Sequence, residues 1–149
     1  MGICINLCFQ CNLRSKKTFE TASFNSKIMA EHNEIGKLGE ERAQAYLASK
    51  GYKIRHVNWK SGKLELDIVA EKDDLLIVVE VKTRSTDYFE HPEEAITTKK
   101  IKNIVNAAHD YIFTFDWQGE TQFDVISVIP QGQSFRIEHL EDAFLSPAK

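Results

Sequence analysis

The sequence predicts one α/β domain, a central β-sheet flanked by helices, in the order α-β-β-β-α-β-β. Three observations predict it. Stretches with helical spacing of apolar residues alternate with short runs rich in Val, Ile, Thr and aromatics. The 149 residues, 42% of them hydrophobic, suffice for one core. No apolar stretch approaches the length of a membrane span. Such a mixture of helices and strands buries itself best as helices packed on a sheet.

Residues 34 to 50 read as the first helix, rich in Ala, Glu, Leu and Lys, with Gly51 as its stop. Tyr52 to Trp59 reads as a strand and Lys60-Ser61-Gly62-Lys63 as its turn. Leu64 to Ala70 is a second strand, Glu71 to Asp74 a charged hairpin turn, and Leu75 to Thr83 a third strand. A polar loop with Tyr88-Phe89 leads to Pro92, a first-turn proline for a helix from about Pro92 to Phe113. Thr121 to Ile129 forms a fourth strand stopped by Pro130, and Phe135 to His139 a fifth. A short closing helix is expected over Leu140 to Leu145.

The net charge of −3 carries no global nucleic-acid signature, so any such site must be local and metal-assisted. All three cysteines lie near the start, as Cys4, Cys8 and Cys11. Their spacing resembles an iron–sulfur motif of radical S-adenosylmethionine enzymes. That motif, however, belongs on a loop inside a larger barrel, and no strand precedes it here. Residues 1–28 lack the basic start and cleavage site of a signal peptide. We read them as a disordered or mis-assigned leader, with Met29 as the start of the functional domain, 29–149. A reducing, cytoplasmic setting without disulfides follows from that reading.

The chemistry concentrates in Leu75-Leu76-Ile77-Val78-Val79-Glu80-Val81-Lys82, an apolar run ending in Glu-Val-Lys. Side chains alternate along a strand, so Glu80 and Lys82 share a face, and burying an unpaired charge is costly. If the second and third strands pair as a hairpin, Asp67 comes within a few positions of Glu80. Two carboxylates there suit Mg²⁺ or Mn²⁺, with the Val81 carbonyl as a further oxygen ligand. Lys82 cannot ligate such an ion, but its ammonium would activate a water or stabilise a developing anion. The bland alternative is an ion pair of Lys82 with Glu80 or Asp67 that caps a strand end.

The helices add to this. Gly36, Gly39, Glu40, Ala43 and Leu47 share one face of the first helix, so small residues admit close approach to the sheet and Glu40 points inward. On the second helix Lys100 lies at the edge of an apolar stripe with Ile104, Ala107, Ala108 and Tyr111. Lys100 either snorkels to solvent or reaches a phosphate, with Lys99 and Lys102 tracking a nucleic-acid backbone. The five histidines show no paired metal-ligand spacing, and no Ser-His-Asp pattern or phosphate-binding glycine loop occurs.

Asp67 with Glu80-Val81-Lys82 is similar to the motif of the PD-(D/E)xK, or restriction-endonuclease-like, nucleases. More closely, residues from Gly36 to Phe144 resemble the YraN-type family of small bacterial proteins, distantly similar to archaeal Holliday junction resolvases. The resemblance rests on Gly36-x-x-Gly39-Glu40-x-x-Ala43, Gly51-Tyr52, Asn58, Glu65-Leu66-Asp67-Ile68-Val69 and Val79-Glu80-Val81-Lys82-Thr83-Arg84. Pro92, Lys100, Ala108 and Phe123-Asp124-Val125 continue it. Leu64, Glu90 and Gln122 depart from the residues usual there, which touches loop shape and substrate contacts but not the acid–lysine set.

The resemblance implies a mixed sheet and a nuclease-like centre of Asp67, Glu80 and Lys82, with Glu40 as an additional acid holding a metal-bound water or second ion. It implies a Mg²⁺-dependent endonuclease acting on DNA, branched or damaged forms included. It leaves oligomeric state open, with a homodimer as one option, since the junction-cleaving relatives are dimers and symmetry would suit a two-fold substrate. The rivals are a DNA-binding module that kept the fold without catalysis, and an interaction domain whose acids are purely structural.

Overall fold

In a computed structural model of the chain, residues 33–83, 96–132 and 134–145 are described. The expected leader, the cysteines, the Met29 start, Arg84, Glu90 and Pro92 lie outside them. The chain divides into two units, Met1–Ile35 and Gly36–Lys149. Of the first, only the opening residues of a helix are described; the architecture below is that of the second.

The first helix, α1, spans residues 33–49 and ends at Gly51, whose φ of 84° is a conformation that glycine adopts without strain. Strands β1 (Lys53–Ser61), β2 (Leu64–Lys72) and β3 (Leu75–Thr83) follow as an antiparallel meander. The β2–β3 turn is Asp73-Asp74, both at positive φ (51° and 63°), the sense that matches the twist of a two-residue hairpin. Helix α2 (Thr98–Phe115) then crosses to β4 (Thr121–Gln131), which runs parallel to β3, and β5 (Ser134–Leu140) returns antiparallel. The result is a mixed five-stranded sheet in the order β1-β2-β3-β4-β5 with a helix on each face, the fold class expected.

Each face has its own core. Ala43, Leu47 and Tyr52 pack with Ile68, Ala70, Ile77, Val79, Ile126 and Val128 beneath α1. Ile104, Ala107, Ala108 and Tyr111 of α2 pack with Leu66, Val69, Leu76, Val78 and Phe123 on the other face. Burying each such aliphatic side chain contributes about 1.5–3 kcal/mol, so these two layers fix the sheet between the helices.

Several boundaries differ from expectation. Strand β1 runs on through Lys60 and Ser61, and β2 through Glu71 and Lys72, which leaves Asp73-Asp74 as the turn. Helix α2 starts at Thr98, not near Pro92, because Thr97 is extended (ψ 149°) and its side chain accepts a hydrogen bond from the Lys100 amide, an N-cap. It ends at Phe115, where Asp116 turns left-handed and its N–H reaches the Ile112 carbonyl. Pro130 does not stop β4 but lies within it. The β3 ladder ends at Thr83–Val128, so beyond that point β4 has, among the described residues, β5 alone beside it and tolerates a missing donor. Residues 140–145 do not form the expected closing helix, since Asp142 takes a left-handed turn (φ 52°) and the Ala143 amide bonds instead to the Phe123 carbonyl.

Candidate active site

The site forms where β2 and β3 part. Their ladder runs from Lys72–Leu75 to Ile68–Val79 and goes no further. Below it, among the described residues, β2 pairs with β1 alone and β3 with β4 alone. Asp67 and Glu80 are the next residues on either side of this fork. There the Asp67 carboxylate replaces a backbone partner, with the Val81 amide donating to Asp67 Oδ2 at 2.9 Å.

Glu80 is 8% exposed, beside the buried Val79 and on the α2 face. Lys100 reaches it from the first turn of α2, Nζ 3.0 Å from Glu80 Oε1. Burial, then the Asp67 carboxylate, push the Glu80 carboxyl up to about 7, and Lys100 only partly opposes them. Partial burial pulls Lys100 down, but Glu80, with Asp67 and Glu65 behind it, together hold it above its ordinary value. The bland ion pair expected of Lys82 therefore does not form with Glu80. Lys82 is exposed, and among the described residues it makes no hydrogen bond or ion pair.

A second buried acid shows how unusual Glu80 is. Asp124, fully buried in β4, receives Gln122 Nε2 at 2.8 Å and the Asp142 amide at 3.0 Å, and His139 Nε2 lies 2.9 Å from its other oxygen. Three partners satisfy it, and the network ties the chain after β5 to the sheet. Among the described residues Glu80 has one donor, Lys100, and one repelling neighbour, Asp67. Desolvated carboxylates with so few donors are costly, which makes Glu80 a candidate for chemistry.

Helix α1 brings Glu40 to this end of the sheet. Gly39 is buried against Thr83 at the end of β3, and a Cβ there would collide with the threonine Oγ1. Next to it, Glu40 is half-buried and its Oε2 accepts from Asn58 Nδ2 at 2.9 Å. Asn58 stands opposite Asp67, between the Val57–Ile68 and Trp59–Leu66 pairs. Lys99 and Lys102 lie on the same turn of α2 as Lys100, toward solvent. The first turn of α2 carries no acid, so three lysines sit against the unfavourable end of the helix dipole.

Asp67, Glu80, Val81 and Lys100 are thus brought together, with Lys82 on the same face of β3 and Glu40 joined through Asn58. Among the described residues no three Asp, Glu, His or Cys side chains converge as a ready metal group. Two carboxylates repelling one another nonetheless fit Mg²⁺, which takes one or two carboxylates and otherwise keeps waters. Sequence reasoning assigns Asn58 no chemical role, although the residue belongs to the matching motif set. It also misses the Asp124 network, although an acid inside a β-branched run is the same signal that singles out Glu80.

The fold places the chain in the restriction-endonuclease-like class of α/β proteins. The model of a family described as "Uncharacterised protein family UPF0102" matches residues 39–128. A UPF0102 protein of Bacteroides thetaiotaomicron is 52% identical over 119 residues, covering 80% of this chain and 98% of the relative. One of Parabacteroides distasonis is 47% identical over 121 residues (81% and 100%), and one of Flavobacterium psychrophilum 44% over 116 (78% and 98%). The chain belongs to the UPF0102 family, the YraN-type family its motifs resemble.

Proposed function

We propose that the protein is a Mg²⁺-dependent DNA endonuclease, hydrolysing phosphodiester bonds, with branched or damaged DNA as its substrate. The observation that carries this reading is the pair Asp67–Glu80 at the β2–β3 fork, with Lys82, which pairs with no described residue, beside it. Asp67 and Glu80, with the Val81 carbonyl, would hold Mg²⁺ or Mn²⁺. A bound ion of this kind supplies Lewis-acid polarisation of the phosphate and a more acidic water.

The chain's own groups divide the remaining work. Lys82 orients the attacking water and offsets charge developing on the phosphate. The Val81–Asp67 hydrogen bond fixes the Asp67 carboxylate in orientation. Lys100, Lys99 and Lys102 contact the backbone of the DNA, which explains positive charge placed where the helix dipole disfavours it. In keeping with this, the protein acts in the cytoplasm as a homodimer on a two-fold substrate. No helix among the described residues is long and apolar enough to cross a membrane.

A second reading, a DNA-binding module without catalysis, has one observation in its favour: Glu80 is already paired with Lys100, and among the described residues no third acid converges on the Asp67–Glu80 pair. Cleavage of junction, flap and linear DNA with Mg²⁺ or Mn²⁺ separates the two. The first reading expects wild type to cut while Asp67→Ala and Lys82→Ala lose at least about a hundredfold, the low end for losing an acid–base or charge-stabilising group. Salt-sensitive binding that survives Asp67→Asn, with no cutting by wild type, supports the second.

A further inference from the structure

We propose that Asn58 is a positioning residue, which turns Glu40 toward the Asp67–Glu80 fork and holds it there as the outer acid of the centre. This inference rests on the metal-dependent reading above. Asn58 has φ 50°, a left-handed conformation in the interior of a strand, where a side-chain-bearing residue is out of place unless the fold uses it. The consequence is visible in both strands. His56 and Trp59 of β1 both meet Tyr111 on the α2 face, although three residues separate them. Leu66 and Val69 of β2, also three apart, belong to the same core. A regular strand would put such pairs on opposite faces, so the alternation of both strands breaks between them, at Asn58 and Asp67.

That break has a product. It leaves the Asn58 amide exposed and within 2.9 Å of Glu40 Oε2. Gly39 against Thr83 fixes the same turn of α1 to the end of β3. Glu40 is therefore held from two sides, β3 and β1, with Asp67 on the strand between them. A hydrogen bond this open to water contributes little to folding, so its use is orientation of the carboxylate.

Glycine separates the two roles that Asn58 combines, because it accepts the positive φ and lacks the amide. Full-length wild type, Asn58→Gly, Glu40→Gln and the double variant are titrated with Mn²⁺ by calorimetry, and each is melted without metal. The expected result is melting of Asn58→Gly within about 2 °C of wild type, with Mn²⁺ affinity lowered roughly 10–100-fold, the range for losing an outer partner of a metal site. Glu40→Gln loses a similar factor, and the double variant no more than either single one. Wild-type affinity in Asn58→Gly, losses that multiply in the double variant, or a large drop in its melting temperature each overturn this inference alone. A wild-type protein that takes up no Mn²⁺ overturns the metal-centre reading and this inference with it.

Discussion

Glu80→Gln tests whether the fork stores electrostatic cost. The Glu80 carboxyl is pushed from an ordinary 4.5 up to about 7 by burial and by Asp67. A carboxyl raised in the fold favours its protonated form. The stability it contributes is fully present below about pH 4.5 and is lost as pH rises through 7. At pH 8 the ionised side chain costs about 3 kcal/mol relative to its neutral form, at roughly 1.4 kcal/mol for each tenfold change in proton affinity. Glutamine has the neutral shape without the charge, and Lys100, 41% exposed, can turn to solvent when its partner goes.

Melting of both proteins without added metal, from pH 4.5 to 8.5, reads this directly. The two should melt together near pH 4.5, and Glu80→Gln should lead by roughly 6–12 °C at pH 8, given about 2–4 °C per kcal/mol for a chain of this size. A constant difference across the range, or a variant less stable than wild type at pH 8, would refute the reasoning. The first outcome would mean that Glu80 has an ordinary carboxyl. The second would make the Lys100 pair a net stabiliser and Glu80 a structural acid.

Other parts of the molecule make independent predictions. Gly39→Ala should cost about 1–3 kcal/mol by overpacking against Thr83, whose side chain must leave its present rotamer to admit the methyl; Thr83→Ala should restore most of the loss in chemical denaturation. Asp74→Gly should raise stability by about 0.5–1 kcal/mol, since residue 74 has φ 63° in the hairpin turn, and an unchanged urea midpoint would count against the turn geometry. Thr97→Ala should lower stability by about 1 kcal/mol through the lost cap and loosen the first turn of α2, read as faster amide exchange at residues 99–101. Tyr111→Phe should cost about 1–2 kcal/mol, as it leaves the half-buried His56 Nδ1 without its 2.6 Å partner.

Much of the fold is legible in the sequence because its strands are short β-branched runs bounded by turn residues. Leu75–Thr83 reads correctly to its last residue, and the Asp73-Asp74 turn falls where charge interrupts two such runs. The errors fall where local signals compete. Pro92 is a sound helix starter in isolation, yet Thr97 supplies a cap with a side-chain acceptor, and Pro130 is a strand breaker only where a neighbour needs its N–H. Of the site, Asp67, Glu80 and Lys82 are readable as charges inside apolar strands. Which lysine faces Glu80 is not, because Lys82 is two residues away in sequence and Lys100 arrives only through the packing of α2. Asn58 is illegible as a site residue for a related reason: a left-handed residue in a strand follows from tertiary contacts, not from its neighbours.

Several departures from local rules gather in one place. Among the described residues Glu80 is a buried acid with one donor, β1 and β2 lose their alternation at facing positions, and Lys100 enters from a helix start that carries three lysines. These meet at the fork between β2 and β3. Chains tend to tolerate such conflicts where function uses them, because elsewhere each would only subtract from a stability of about 5–15 kcal/mol. The buried Asp124 shows that this fold can bury a carboxylate with full satisfaction in the neighbouring strand. That Glu80, one strand over, has fewer partners among the described residues is therefore not a limit of the architecture. On the proposed reading the fork is completed from outside the chain, by a divalent cation whose charge would offset that of Asp67 and Glu80 together.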